Sequence, residues 1–165
     1  MKSNKTVSYV ITGLFLCVLS AGVFTFAIMR KMLLKDVSLY RELSDKHFAL
    51  FDLMSQWVKV KQNNKNLATW FDAKDYKRIA VYGMSSVAES LVNELKDSNI
   101  EILYGIERNP QEIISKFKVY SPEDRLPEAD VIVVTAVYYY DDIVKSLSSK
   151  TNVPVVSLED IVYET

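Results

Sequence analysis

From residue 78 onward, short apolar runs alternate with stretches whose apolar side chains recur at helical spacing. The apolar runs are at 78–82, 100–106, 118–120, 130–137 and 153–157. Strands buried on both faces of a parallel sheet are nearly continuous hydrophobic runs, and helices between them form the crossovers. Helices are expected at 67–74, 85–96, 141–148 and 158–163. The alternation therefore predicts an α/β fold with a small parallel sheet of four to five strands and flanking helices.

Residues 7–29 contain no charged side chain. At about 1.5 Å per residue this run makes a helix of about 34 Å, enough to cross a hydrocarbon core of about 30 Å. A cleaved signal peptide has a shorter apolar region, and a lipoprotein has a small residue where this chain has Leu16, before Cys17. We therefore expect one uncleaved transmembrane helix at 7–29, preceded by an N-terminal flank at 1–6.

Positive side chains flank this run unequally. Lys2 and Lys5 precede it, whereas Arg30, Lys31 and Lys35 follow it. The side with more positive charge stays cytoplasmic. The sequence therefore predicts a single-pass protein of the cell membrane whose soluble part lies in the cytosol.

Residues 30–62 are predicted to form an amphipathic helical stalk before a Rossmann-like domain at 63–165. Six apolar residues fall near one face of the stalk and are called the apolar seam: Leu33, Val37, Tyr40, Phe51, Met54 and Val58. Ser44 and His47 interrupt the seam, so the heptad pattern is broken. Two interpretations stay open: the stalk packs on its own domain, with His47 partly buried, or it joins two copies in a homodimer.

Composition excludes several classes of function. Lys and Arg number 20 against 21 Asp and Glu, so no basic excess exists to neutralise nucleic-acid phosphates, and no nucleic-acid partner is expected. With His47 and Cys17 alone, the chain cannot form a His/Cys zinc site or an intrachain disulfide by itself. We expect no metal and no catalytic residue, because nucleophile and general-base constellations are missing.

Gly83 follows the first predicted strand and precedes the first predicted helix of the domain. Dinucleotide folds carry G-x-G-x-x-G/A at this turn, where the helix N-terminus meets the phosphates. Here the run is Gly83, Met84, Ser85, Ser86, Val87 and Ala88, so serine replaces the second glycine. The segment from Gly83 to Ser86 is the candidate cofactor site. The alternative for Ser85 is that its hydroxyl only caps the helix.

An acidic residue at the end of the second strand is the next part of such a site. Glu107 lies near the spacing of about 20 residues at which a carboxylate takes ribose hydroxyls, and Arg108 follows it. Arg108 can contact a phosphate or pair with Glu107. The alternative is a solvated Glu-Arg pair.

The end of the fourth strand supplies the remaining candidates, Thr135 and Tyr138. Ligands of open parallel sheets bind outside the carboxyl ends of the strands. Tyr138 can stack on a base or a sugar there. The alternative is that such a ring fills the core.

Four stretches of the domain carry a resemblance to a known class of Rossmann-like modules: 81–83, 107–110, 119–123 and 129–134. They resemble the C-terminal domain of sugar C-methyltransferases and, more loosely, the N-terminal nucleotide-sugar domain of bacterial sugar acetyltransferases. Those families commonly have Asp at the position of Glu107 and a small residue at that of Ser85. The resemblance implies a module that recognises a ligand or serves as a scaffold while another domain performs the chemistry.

These observations predict a membrane-anchored accessory protein of bacterial surface-polysaccharide biosynthesis that is not itself an enzyme. Its ligand is expected to be a nucleotide, a nucleotide-sugar or NAD(P), and its partner a membrane protein of glycan biosynthesis. A scaffold without ligand that serves protein interaction or oligomerisation is the alternative. An NAD-dependent oxidoreductase is a third, which the degenerate glycine motif disfavours.

Overall fold

The computed structural model describes the backbone of residues 3–165 and the side chains of residues 13, 22 and 24–165. The helices are α1 (Ser3–Gln62), α2 (Ala68–Ala73), α3 (Ser86–Leu95), α4 (Tyr140–Leu147) and α5 (Leu158–Glu164). The strands are β1 (Arg78–Tyr82), β2 (Glu101–Ile106), β3 (Val119–Tyr120), β4 (Val131–Val134) and β5 (Val155–Ser157). Short 3-10 helices occur at Pro110–Glu112 and Val137–Tyr139. The chain divides into two compact units, Met1–Asp45 and Lys46–Thr165.

The second unit is the predicted α/β domain. Its five strands are all parallel and lie in the order β3-β2-β1-β4-β5. All four residues of β4 and four of the five in β1 are buried, because helices cover both faces of these central strands. The predicted α/β class with a parallel sheet and flanking helices is thus confirmed.

Two hydrophobic clusters occupy the two faces of the sheet. On one face, β1 and β4 contribute Ile79, Val81, Val131 and Val133, and α3 and α5 pack there with the end of α1. On the other face, alternate residues of the same strands pack against Ile143 and Leu147 of α4. The helices after β1 and after β4 therefore lie on opposite faces.

The end of α1 contributes to the domain core. Leu53, Trp57 and Val60 are buried in the same cluster as α3 and α5. The part of the stalk from Lys46 thus packs on its own domain, mainly through a face beside the apolar seam: Met54 is partly buried, whereas Phe51 and Val58 are exposed. The compact unit consequently begins at Lys46 and not at the expected boundary of residue 63. His47 is exposed, so its expected partial burial is wrong.

Two strands are shorter than the sequence predicts by two residues or more. The run 130–137 is strand only at Val131–Val134, because the chain turns at Ala136 into the 3-10 helix Val137–Tyr139. The run 153–157 is strand only from Val155. Pro154, which has no N–H, precedes it and offers only its carbonyl, to the Ile132 N–H at 2.8 Å.

No helix is both long and apolar enough to cross a membrane among the residues with described side chains. The backbone of α1 includes the predicted span, residues 7–29, and most side chains of that span lie outside the described residues.

Candidate functional site

The candidate site lies where the carboxyl ends of β1 and β4 meet. The chain leaves β1 through α3 toward β2 on one side and leaves β4 through α4 toward β5 on the other. Such a reversal of strand order opens a crevice between the two central strands, and ligands of open α/β sheets bind there. Gly83 ends β1 and Thr135 ends β4, so two predicted residues lie directly at this reversal.

Gly83 has a conformation that glycine alone adopts easily. Its φ is +94°, and a Cβ at this position would lie 3.0 Å from the Thr135 Oγ1 and 3.2 Å from the Ala136 Cβ. Its N–H donates to the Ile106 carbonyl at 3.0 Å, which holds the turn against β2. The turn therefore needs glycine for its backbone angle and for the close approach of β4.

Thr135 joins the ends of the two central strands. Its side chain is buried, and its hydroxyl lies 2.5 Å from the Gly83 carbonyl and 3.1 Å from the Tyr82 carbonyl. Its backbone N–H also donates to the Tyr82 carbonyl at 2.9 Å. These contacts give Thr135 a positioning role at the turn.

Glu107 bridges the end of β2 to the same turn. Its Oε2 accepts from the Met84 N–H at 2.9 Å, and its Oε1 accepts from the Arg108 N–H at 2.8 Å. Its own N–H donates to the Tyr120 carbonyl at 2.9 Å, which fixes the strand end. The structure thus brings Gly83, Met84 and Glu107 together as the sequence predicts.

The Met84 side chain packs toward the neighbouring strand. A Cβ on Gly105 of β2 would lie 2.6 Å from the Met84 Sδ and 3.3 Å from the Phe117 ring. Gly105 therefore leaves the space that Met84 fills. Both positions could be noticed in the sequence, because glycine is scarce: outside residues 7–29 the chain has two glycines, Gly83 and Gly105.

Ser85 and Ser86 open α3 differently from the cap of α5. Ser85 takes the N-cap position in an extended conformation, but its side chain makes no capping hydrogen bond. By contrast, the Ser157 hydroxyl accepts from the Glu159 N–H at 3.2 Å at the start of α5. The interpretation of Ser85 as a side-chain cap is therefore wrong. Both Ser85 and Ser86 are exposed at the turn.

Arg108 is exposed and lines a cavity of about 290 Å³ at the carboxyl ends of β1, β2 and β3. Tyr82, Ser121 and Pro122 form the strand-end part of its wall, and Asp142 and Ser146 of α4 form the opposite part. None of these five was a predicted site residue. Asp142 and Ser146 are four residues apart and so lie on the same face of α4. This spacing is the feature of the sequence that could have indicated them as a pair of lining residues.

Tyr138 lies at a second cavity, of about 230 Å³, beside the start of α4 and α5. Its ring is 41% exposed and meets the Tyr139 ring edge-on at a centroid distance of 5.2 Å. The Lys46 Nζ lies 4.7 Å from the Tyr139 centroid. Of the three consecutive tyrosines, Tyr140 packs on the core, and its hydroxyl donates to the Val155 carbonyl at 3.0 Å.

Acidic side chains dominate the helix starts at this edge. Asp141 and Asp142 lie in the first turn of α4, and Glu159 and Asp160 in the first turn of α5. They suit the positive end of each helix dipole. Among the described residues, no group of three or more His, Cys, Asp or Glu side chains is arranged to hold a metal ion.

Residues 75–155 match the family described as C2185-like, N-terminal. Neither the curated proteins nor the solved structures gave a match. The matched region begins just before β1 and ends at the start of β5, so it contains every predicted site residue from Gly83 to Tyr138. The chain is therefore similar to that family over the sheet and the candidate site.

Proposed function

We propose that the domain binds a nucleotide or nucleotide-sugar at the turn from Gly83 to Ser86, with its ribose on Glu107, and performs no reaction itself. The observation that carries the proposal is the Glu107 carboxylate at the strand reversal, 2.9 Å from the Met84 N–H of the turn. In folds with this strand order, an acid at this position accepts hydrogen bonds from ribose hydroxyls.

Glu107 keeps hydrogen-bonding capacity for a ligand. An ionised carboxylate has about four lone-pair positions, and the described contacts of Glu107 use one on each oxygen. Each oxygen can therefore accept a further bond, one from each hydroxyl of a ribose. The backbone bonds hold the carboxylate in place before the ligand arrives.

Charge narrows the class of ligand. A carboxylate at the ribose position suits a free 2′-hydroxyl and repels a 2′-phosphate. The exposed Arg108 beside it offers a guanidinium to a phosphate elsewhere on the ligand. A nucleoside diphosphate sugar or NAD thus fits this site better than NADP.

The cavity beside Arg108 suits one part of such a ligand. Its volume of about 290 Å³ is at the lower limit of small-molecule pockets. Three of the residues that line it carry hydroxyl groups: Tyr82, Ser121 and Ser146. We assign it to the sugar or base portion, with the phosphates on the turn.

The cellular role that we propose is accessory. The charge-free run 7–29 would anchor the chain in the cell membrane, and the positive residues after it would keep the domain in the cytosol. The resemblance to modules of sugar-nucleotide and surface-glycan enzymes supports work beside a membrane protein of bacterial polysaccharide biosynthesis.

A scaffold without ligand is the second candidate function. Two observations favour it. The hydrogen bond to Glu107 already satisfies the Met84 N–H, and Ser85 adds a side chain where dinucleotide folds have glycine. In this case the Glu107 bond serves only to hold the turn, and the domain surface binds a protein.

Thermal unfolding of the full chain separates the two functions. The protein is taken from alkaline-washed membranes, where an anchored chain is expected to remain, and is screened with UDP- and CDP-sugars, nucleoside diphosphates, NAD and NADP. A ligand at 100 times its Kd adds about 2.7 kcal/mol to stability. We expect a clear rise in melting temperature with one class of nucleotide and none with NADP.

Two matched variants locate the binding. Glu107→Gln keeps one oxygen for the Met84 N–H but loses the charge, so it should reduce the ligand-dependent shift while preserving the fold. Glu101→Gln changes the exposed acid at the opposite end of β2 and should leave the shift intact. A shift that Glu107→Gln does not alter contradicts the ribose site, and the absence of any shift favours the scaffold.

A further inference from the structure

The helix α1 leaves five of the six residues of the apolar seam uncovered. In the first unit, Leu33, Val37 and Tyr40 are 58%, 56% and 71% exposed. Their spacing of four and then three residues places them on one face of a helix. Charged residues recur throughout this part of the helix, including Arg30, Lys31 and Lys35, so it lies outside the apolar run. An exposed apolar stripe of this kind needs a partner surface.

The second unit, taken by itself, leaves two of its three seam residues uncovered. Phe51 is 68% exposed and Val58 is 51% exposed. The residues of α1 that its core buries, Leu53, Trp57 and Val60, follow another face of the helix. Of the seam residues in this unit, only Met54 is partly buried against the core, so packing on the domain leaves Phe51 and Val58 uncovered.

The residues beside the seam indicate which partner fits. With Val37 at heptad position a and Tyr40 at d, Asp36 takes position g and Arg41 takes position e. In a parallel pair of helices, position g of one chain faces position e of the next heptad in the other. Asp36 then faces Arg41 of the second copy, and both side chains are exposed in the single chain. Opposite charges thus meet at both edges of a symmetric pair.

The pair of g and e positions one heptad earlier is also complementary between two copies. Met29 takes position g and Leu34 takes position e, and each is 59% exposed. A parallel second copy sets Met29 against Leu34, apolar against apolar. In this one register, the residues beside the seam on one chain therefore match those on a second, identical chain. Such self-complementarity is a property of an interface between identical chains.

We propose that the stalk forms a parallel two-stranded homodimer through the apolar seam, in the register that pairs Asp36 with Arg41 of the second copy. Arg30 and Ser44 occupy a positions, and polar residues there specify register at a cost in stability. The seam is short, so the pairing is weak and favoured by any arrangement that concentrates the chains, such as a shared membrane. This inference does not depend on nucleotide binding.

Cysteine crosslinking of the full chain tests the seam. In a Cys17→Ser background the chain has no other thiol, so each introduced cysteine reports alone. Val37→Cys, at the seam, should give disulfide-linked dimers under mild oxidation. Ser38→Cys and Lys35→Cys, exposed on other faces, should give few. Two results overturn the proposal: equal amounts of disulfide-linked dimer at the three positions, or only monomer at all three on a non-reducing gel.

A charge exchange tests the register and the orientation. Asp36→Arg and Arg41→Asp each place like charges opposite each other and should reduce Val37→Cys crosslinking and the fraction of dimer in sedimentation. The double variant restores opposite charges and should recover both. Failure of the double variant to recover dimer overturns the parallel register, and a trimer or larger species overturns the two-stranded arrangement.

Discussion

At the scale of single residues, the turn after β1 depends on an interlocked pair. The φ of Gly83 is +94°, and a Cβ there would lie 3.0 Å from the Thr135 Oγ1. The Thr135 hydroxyl in turn contacts the Gly83 carbonyl at 2.5 Å. The glycine was recognisable in the sequence from its place after an apolar run. The role of Thr135 was not, because it depends on the distance between two strands that are far apart along the chain.

Replacing Gly83 tests this pair. Gly83→Ala should cost about 1–3 kcal/mol of unfolding free energy, because it combines a strained φ with a close contact. On a Thr135→Ala background the same substitution should cost less, since the Oγ1 neighbour is gone. Urea denaturation of the four proteins of this cycle measures the difference. Equal costs on both backgrounds would show that the contact contributes nothing.

At the scale of elements, Asp130 holds the amino ends of β1 and β4 together. Its Oδ2 accepts from the Arg78 N–H at 2.7 Å and from the Lys77 N–H at 2.9 Å. These two backbone hydrogen bonds, that of Arg78 first, hold the pKa of the Asp130 carboxyl below its ordinary value of 3.8. The carboxylate is therefore a strand-pairing device at the edge opposite the candidate site.

The lowered pKa sets the direction of a pH effect. Because the folded pKa lies below the unfolded one, Asp130 stabilises the fold fully above the unfolded value, and this contribution is lost as the pH falls below 3.8. Asp130→Asn should cost about 1 kcal/mol at pH 7, given the partial exposure of the carboxylate. At pH 3 the difference in unfolding free energy between wild type and variant should be smaller than at pH 7.

Urea midpoints at the two pH values measure this difference. Asp97→Asn, an exposed acid just after α3, serves as the control and should leave stability at pH 7 unchanged. A difference that is as large at pH 3 as at pH 7 would contradict the assignment of the effect to the Asp130 carboxylate.

At the scale of the whole molecule, the domain includes part of the helix that precedes it. The compact unit begins at Lys46, and Leu53, Trp57 and Val60 are buried in its core. Asp52 accepts a hydrogen bond from the Tyr163 hydroxyl at 2.5 Å, and Lys61 pairs with Glu94 at 2.8 Å. A boundary at residue 63, which the polar run after α1 suggested, would remove all of these contacts.

Shortening the chain tests where the domain begins. A protein of residues 46–165 should unfold cooperatively, whereas one of residues 64–165 loses three buried side chains worth about 1.5–3 kcal/mol each. Since whole domains are stable by about 5–15 kcal/mol, most of the margin should disappear. Thermal unfolding followed by circular dichroism compares the two. Similar melting temperatures would show that the end of α1 is dispensable.

The amino-acid sequence by itself determined the class of fold and the position of the strands. Apolar runs and helical periodicity are local patterns, so β1 is found at its predicted bounds and α3 within a residue of them. The sequence also located Gly83 and Glu107, because the spacing of such residues follows from the length of a β-α-β unit.

Only the tertiary structure decided which face of α1 is buried and what the predicted site residues contact. Both faces of the helix carry large apolar side chains, and periodicity alone does not distinguish a residue that packs on the core, such as Trp57, from an exposed one, such as Phe51. Likewise, the bond from the Met84 N–H to Glu107 and the burial of Thr135 arise from strand order. Strand order is set by long-range packing, which no local pattern of residues records.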